Sequence, residues 1–247
     1  TIRTGTEAAA AGGFTSVVCM PNTSPAIHDT ETLKYVQQKA ESEGLIKVYS
    51  TAAITHGIKG EHITDMEDLF LHGAVTFTDD GRSVMNPHIL YKAFKNAAKL
   101  GVPITSHCED HSLVTEGAIN RGRASKVLGD PGIPALAEEL IVARDILFAE
   151  DTGAKLHIQH VTTARAVQLI REAKARGVRV TAETAPHYFS ITDEAVIELG
   201  ALAKVNPPLR TKNDIEAIIE GLQDGTLDAN ATDHAPHTAE EKNKGLK

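Results

Sequence analysis

Six polar residues that could do chemistry stand where short apolar runs of the sequence end. They are Asn22, Asp80, His107, His160, Asn206 and Asp233. Each run reads as a β-strand and follows a helix-like segment, so the sequence predicts repeated βα units. The carboxyl ends of the strands form the active face of a barrel built from such units. We therefore expect these side chains to converge at one barrel mouth.

The two histidines suggest a metal site. Taken singly, His107 and His160 could be hydrogen-bonded structural residues, and the sequence around Asp80 is also common in turns. Together, two histidines at consecutive strand ends are flanked by strand ends that carry Asp80 and Asp233. Neutral imidazoles and carboxylates suit Zn²⁺ with an open coordination position. His157 should point away from His160, toward the helical layer, because side chains alternate along a strand.

The other candidates are suited to proton transfer and substrate binding. Asp233 could touch a metal and also accept a proton from a metal-bound water, or it could be an N-cap. Asn22 and Asn206 are each followed by turn residues, so they could form Asx-turns. Equally, their amides could hydrogen-bond a polar substrate.

The elements that must position these residues alternate along the chain. Helices are expected at 30–43, 87–100, 163–176, 192–199 and 213–222, with Val167 and Ile170 facing inward. A further long helix has Leu136, Leu140, Ala143 and Leu147 on one face, which we expect to be its buried face. Seven strands are expected, at 15–20, 47–55, 74–77, 102–106, 156–159, 178–184 and 227–231, and a further apolar run ends at Val205. Seven is one short of a closed barrel. The predicted fold class is therefore α/β, a TIM-like (β/α)8 barrel that is incomplete.

Composition narrows the class of protein. The 247 residues are 41% hydrophobic, which predicts one domain over residues 1–247. A net charge of −8 gives no electrostatic reason to expect nucleic acid or an anionic membrane, so a small-molecule partner is expected. Cys19 and Cys108 lie in apolar contexts, as reduced thiols of a cytoplasmic protein do. The sequence shows no cleavable signal or transmembrane stretch.

The motifs resemble those of the amidohydrolase superfamily and, within it, the class I bacterial dihydroorotases. The segments that carry the resemblance are 12–15, 20–23, 77–81, 107–110, 157–160, 183–188, 205–210 and 231–237, in family order. The resemblance implies that Asp80 bridges two metals, that His107 and His160 hold one zinc, and that Asp233 binds the other. It further implies that Asn22 and His237 hold the substrate carboxylate and that Asn206 contacts the substrate.

The reaction that the resemblance implies is the reversible cyclisation of N-carbamoyl-L-aspartate to (S)-dihydroorotate in pyrimidine biosynthesis. It would use zinc-bound hydroxide, with Asp233 as acid/base and one or two Zn²⁺ per subunit. The family's His-x-His-x-Arg segment and its C-terminal region have no counterpart here. The expectation is an internal fragment that lacks the first strand and the last helix and is inactive alone.

Two alternatives stay open at this point. Hydantoinases and allantoinases share the barrel, but they usually carry a bridging lysine where this chain has Asp80. The other alternative is an inactive homologue that serves as a structural partner of aspartate carbamoyltransferase. A homodimer and an association with that enzyme are both compatible with the sequence.

Overall fold

Parallel strands joined by helices make up the chain, as the sequence predicts. The computed structural model describes residues 1–246 and divides into two compact units. The first holds Thr1–His107 with Asp151–Lys155, and the second holds Cys108–Glu150 and the residues from Leu156 onward. Compact units of this kind can be parts of one domain, so a single domain over residues 1–247 stays a prediction.

The first unit contains four helices and three strands. They are α1 (Ile2–Ala11), β1 (Ser16–Cys19), α2 (Thr30–Glu43), β2 (Lys47–Ser50), α3 (Met66–Leu71), α4 (Pro87–Leu100) and β3 (Pro103–Ser106), with a 3₁₀ turn at His56–Ile58. β1 and β2 are parallel, with Ser16 opposite Lys47 and Cys19 opposite Ser50. The bounds of α2 and α4 are those predicted.

Local signals explain why α4 begins and ends where it does. Asn86 accepts hydrogen bonds from the backbone of His88 and Ile89, and Pro87 needs no intrahelical donor at the first position. Gly101 ends the helix with φ 72°, a conformation that favours glycine. Four apolar side chains spaced three or four residues apart form the buried face: Leu90, Ala93, Phe94 and Ala97.

The strand expected at 74–77 forms only at its end. Phe77 makes isolated parallel bridges to Ala52 on one side and to Ile104 of β3 on the other. The Thr76 hydroxyl donates to the carbonyl of Pro103 at 2.9 Å. This short segment therefore completes the parallel order β1, β2, Phe77, β3 in the first unit.

The second unit contains the remaining elements. They are α5 (His111–Val114), α6 (Arg123–Leu128), α7 (Leu136–Thr152), β4 (Lys155–Ile158), α8 (Ala164–Ala175), β5 (Val180–Thr184), α9 (Pro186–Ser190), α10 (Ala195–Leu199), α11 (Lys212–Gln223), β6 (Ala229–Asn230) and α12 (Ala239–Lys242). The residues of α7 and β4 within Asp151–Lys155 belong to the first unit. Parallel pairing places Ile158 opposite Ala182, and Glu183 opposite Ala229.

Two expectations about helix faces had different outcomes. Val167 and Ile170 of α8 are fully buried, as predicted. The apolar face of α7 is not: Leu136, Leu140 and Leu147 are 48%, 44% and 61% exposed. The buried face of α7 instead contains Ala137, Glu138, Ile141, Val142, Asp145, Ile146 and Ala149. The physical reason is that the carboxylates on this face have donors in the folded chain.

The apolar run that ends at Val205 is not a strand. Gly200–Ala203 forms a 3₁₀ turn, and irregular backbone leads from it to Asn206. Pro207 and Pro208 follow and cannot donate backbone hydrogen bonds to a ladder. The tail from Thr238 onward contains the short exposed helix α12. Its last residue, Lys247, lies outside the described residues.

Candidate metal centre

The adjacent residues Asp79 and Asp80 in the first unit have different surroundings. Asp79 is buried and accepts hydrogen bonds from the backbone N–H of Thr55 at 3.0 Å and from the Thr55 hydroxyl. Burial raises the pKa of Asp79, and the hydrogen bonds from Thr55 oppose this shift. Asp80 is half-buried, and its Oδ2 accepts a hydrogen bond from Nδ2 of Asn22 at 2.8 Å. Asp79 therefore anchors the loop, whereas Asp80 is the predicted metal ligand.

His107 follows β3 directly and is buried. Its backbone carbonyl accepts a hydrogen bond from the Ser83 hydroxyl at 2.6 Å. Ser83 comes three residues after Asp80, so this contact joins the Asp80 loop to the end of β3. The two strand ends of the first unit are therefore tied together.

His160 lies two residues beyond β4 and is buried, with a backbone φ of 33°. Burial lowers the pKa of its imidazole to about 4. At neutral pH the ring is therefore uncharged, the form in which histidine binds metals. A metal would not have to displace a proton from this ring.

Three of the predicted ligands form one cluster. The ligand atoms that Asp80, His107 and His160 offer all lie within 4.8 Å of one another. One carboxylate and two neutral imidazoles are a donor set that fits Zn²⁺. The residues present therefore fit a metal ion of this class.

Asp233 is not part of that cluster among the described residues. It is exposed and has a φ of 47°. Its charge acts on two residues that follow β5. Burial lowers the pKa of His187, and the charge of Asp233 opposes that shift. Burial also raises the pKa of Tyr188, and the charge of Asp233 adds to that shift. Asp233 thus lies near aromatic side chains, and its roles as metal ligand and acid/base stay predictions.

The three predicted substrate contacts have different surroundings. Asn22 is exposed and bound to Asp80. Asn206 is exposed and lines a cavity of about 630 Å³ together with Glu109 and Lys204. His237 is exposed, with Nδ1 3.7 Å from Oε2 of Glu241 in the same tail. Their substrate contacts stay predictions.

His157 and the cysteines complete the predicted set. The ring nitrogens of His157 contact the neighbouring strand. Nδ1 lies 2.8 Å from the Thr181 hydroxyl, and Nε2 lies 3.2 Å from Glu183, both on β5. Leu156 and Ile158, on the other face of β4, are buried, and the expectation that His157 points toward the helical layer stays a prediction. Neither Cys19 nor Cys108 takes part in a disulfide among the described residues.

A buried polar network beside His160 escaped the sequence reasoning. It consists of Asn120, Glu138, Thr162, Asp193 and Arg210, all at most 6% exposed. The available signal was Glu138, a charged residue within the apolar stretch of α7. A charged side chain is rarely buried unless it has a partner, but only the structure shows that Glu138 lies on the inward face of α7.

Comparison with known proteins now decides the family. The model of the family described as "Dihydro-orotase-like" matches residues 1–166. The chain belongs to this dihydroorotase-like family. A relative named dihydroorotase from Pelotomaculum thermopropionicum is 55% identical over 98% of the chain and 56% of its own length. Dihydroorotases from Ruminiclostridium cellulolyticum and Geobacter sulfurreducens are 51% and 52% identical, over 58% and 57% of their lengths.

Solved structures confirm the predicted fold class. The L-hydantoinase (dihydropyrimidinase) from Arthrobacter aurescens superposes with a TM-score of 0.85, at 22% identity, over 100% of this chain and 56% of that one. A D-hydantoinase gives 0.78 at 24% identity. This family member therefore shares the α/β fold of those structures, and it spans a little over half the length of the relatives it matches. No helix within residues 1–246 has the length and apolar character needed to cross a membrane.

Proposed function

We propose that the protein carrying this chain is a zinc-dependent dihydroorotase, which interconverts N-carbamoyl-L-aspartate and (S)-dihydroorotate in pyrimidine synthesis. The observation that carries the proposal is the cluster of Asp80, His107 and His160. It occurs in a chain whose curated relatives at 49–55% identity are named dihydroorotase. The hydantoinase alternative is supported only by solved structures that are 22–25% identical to this chain, and that likeness concerns the fold.

The roles of the residues follow from their chemistry. Asp80, His107 and His160 would hold one or two Zn²⁺ ions. When bound, zinc would supply Lewis-acid polarisation of the reacting carbonyl. Asp233 would carry the proton that the ring amide gains when it opens and loses when it closes.

Binding the substrate is assigned to amide and imidazole donors. Asn22 and His237 would hold the substrate carboxylate, and Asn206 would contact the rest of the molecule from the rim of its cavity. The partner is thus a small, anionic molecule in the cytoplasm. The proposed reaction needs both the metal cluster and the Asp233 carboxylate. The two are formed by different residues, and each can be tested separately.

The acid/base role is tested by Asp233→Asn in the full-length protein, assayed in both reaction directions. We expect kcat to fall by about 10² to 10⁴-fold, the usual loss when a general acid/base is removed. Substrate affinity should change much less, because other residues hold the substrate. Asp224→Asn is the matched control, since that exposed carboxylate pairs with Arg171. A variant that keeps its zinc and near-parental kcat contradicts the role.

The metal assignment is tested by elemental analysis of His107→Ala and His160→Ala. Each variant should lose most of the metal at one site, because removing a protein ligand weakens binding by orders of magnitude. His88→Ala, an exposed histidine of α4, is the control and should keep its metal. Unchanged zinc in both ligand variants, or hydantoin as the better substrate, would count against the proposed function.

A further inference from the structure

The backbone that follows His160 is held by a buried carboxylate. Glu138 of α7 is 3% exposed and accepts hydrogen bonds from the backbone N–H groups of Thr162 at 2.9 Å and Thr163 at 3.1 Å. The Thr162 hydroxyl also donates to Glu138, and the Thr163 hydroxyl lies 3.4 Å from the same carboxylate. Four donors from two consecutive residues therefore converge on one side chain.

Arg210 completes this arrangement from the other side. Its Nε donates to the Thr162 hydroxyl oxygen at 3.0 Å, and its Nη2 lies 3.6 Å from Glu138. Its Nη1 donates to Asn120 at 2.8 Å, and Asn120 in turn donates to Asp193 at 2.7 Å. The Thr162 hydroxyl thus accepts a hydrogen bond from Arg210 and donates one to Glu138. It acts as both acceptor and donor, so the orientation of the hydroxyl is fixed.

The same segment is fixed at each neighbouring residue. The N–H of Val161 donates to the carbonyl of Glu183 on β5 at 2.8 Å. The N–H of Ala164 donates to Asp214 at 2.9 Å, and the Thr163 hydroxyl accepts from Ala166 as the N-cap of α8. Every backbone N–H from residue 161 to 164 therefore has a defined acceptor.

This degree of restraint matters because His160 has an uncommon backbone conformation. A φ of 33° in a residue with a side chain costs free energy and persists only where the surroundings enforce it. Its imidazole is 3% exposed, so the ring cannot compensate for a backbone change by turning in solvent. The direction of the ring is therefore set by the segment that Glu138 and Arg210 hold.

We propose that Glu138, Thr162 and Arg210 are positioning residues that hold His160 in the orientation needed for metal binding. This rests on the proposed function only in taking His160 as a metal ligand. Residues that orient a ligand typically change metal affinity by 10 to 100-fold when they are removed.

The test is metal affinity in the full-length protein, measured with zinc against a chromophoric chelator and with cobalt(II) absorption. Thr162→Val keeps the shape of the side chain and removes the hydroxyl, and we expect a 10 to 100-fold weaker affinity and an altered cobalt spectrum. Thr162→Ser restores the hydroxyl and should bind within about threefold of the parent. Arg210→Lys keeps the charge without the planar fork, and it should weaken binding about 10-fold.

Thr226→Val is the matched control. Thr226 is also a buried threonine of the second unit, but its backbone N–H and its hydroxyl both hydrogen-bond Asp224 before β6, at the opposite end of that strand from Asp233. It should lower the midpoint of thermal unfolding without changing metal affinity. Equal metal affinity in Thr162→Val and the parent, or an equal loss in Thr226→Val, would overturn the positioning role.

Two results for the parent separate this inference from the proposed function. A parent that binds zinc but does not turn over dihydroorotate refutes the proposed reaction, and the affinity series then still decides the positioning role. A parent that binds no zinc or cobalt refutes the metal site and the positioning role together. If Thr162→Val does not fold, Arg210→Lys decides the question in the same assay.

Discussion

Each unit contains a threonine that donates two hydrogen bonds to a buried carboxylate, but the proposed metal ligand lies beside a different member of the pair. In the first unit, the N–H and hydroxyl of Thr55 both donate to Asp79, and the next residue, Asp80, is a proposed ligand. In the second unit, the N–H and hydroxyl of Thr162 both donate to Glu138, and the proposed ligand His160 precedes the threonine. In sequence, the proposed ligand is thus next to the carboxylate in the first unit and two residues before the threonine in the second.

The electrostatics of the two carboxylates also differ. Arg210 lies beside Glu138, so the buried negative charge has a buried positive partner. Burial raises the pKa of Asp79, and hydrogen bonds from Thr55 and Ile54 oppose that shift. The buried carboxylate is thus balanced by an opposite charge at Glu138 and by hydrogen-bond dipoles at Asp79. The two solutions should respond differently when the charge is removed.

The largest expected effect is that of Glu138→Gln. The amide offers one acceptor oxygen to four donors and removes the carboxylate that pairs directly with the buried Arg210, so we expect a loss of about 3 to 5 kcal/mol in the free energy of unfolding. Urea denaturation followed by circular dichroism measures it. Glu150→Gln is the control, because its ion pair with Arg176 is exposed to solvent and should contribute little to stability.

Equal losses in the free energy of unfolding of Glu138→Gln and Glu150→Gln would contradict the role of Arg210 in balancing the charge of Glu138. Glu138 would then be no more important to the fold than an exposed ion pair, and the hydrogen bonds from Thr162 and Thr163 would not require a charged acceptor.

A smaller effect is expected from Asn22→Ala. This change removes the hydrogen bond that orients the Asp80 carboxylate, so we expect metal affinity to fall about 10-fold. Asn86→Ala removes an N-cap in the same unit and should change stability only. Any rise in KM that persists at saturating metal reports the separate role of Asn22 in substrate binding. If Asn22→Ala binds metal like the parent, then the ligand in the first unit needs no support from Asn22.

The smallest effect is expected from Asp79→Asn, about 1 kcal/mol at neutral pH. The Thr55 hydroxyl can accept a hydrogen bond from the new amide. Unlike Glu138→Gln, this change does not remove the partner of a buried arginine. Burial raises the folded pKa above the unfolded value of 3.8, so the parent loses stability as pH rises from 3.8 through the folded pKa. The variant lacks that loss, and its relative stability should improve across the same window. A disadvantage that instead grows as pH rises would show that the Asp79 charge is stabilising.

The sequence alone determined the local elements and the chemistry at their ends. α2 and α4 have the predicted bounds because their caps, Asp29 and Asn86, and the glycines that follow them act within a few residues. The positions of Asp80, His107 and His160 after apolar runs were readable for the same reason. A strand end is a local feature, and parallel strands bring such ends to one edge.

Only the tertiary structure decided which side chains support those ligands. The leucines of α7 looked like its buried face, but Glu138 is buried and Leu136 and Leu140 are exposed. Burying that carboxylate is favourable only because donors on Thr162, Thr163 and Arg210 reach it from segments distant in sequence. Hydrophobic periodicity records the apolar surface of a helix. It contains no information on partners that folding brings from elsewhere in the chain, and so it could not place Glu138 inside.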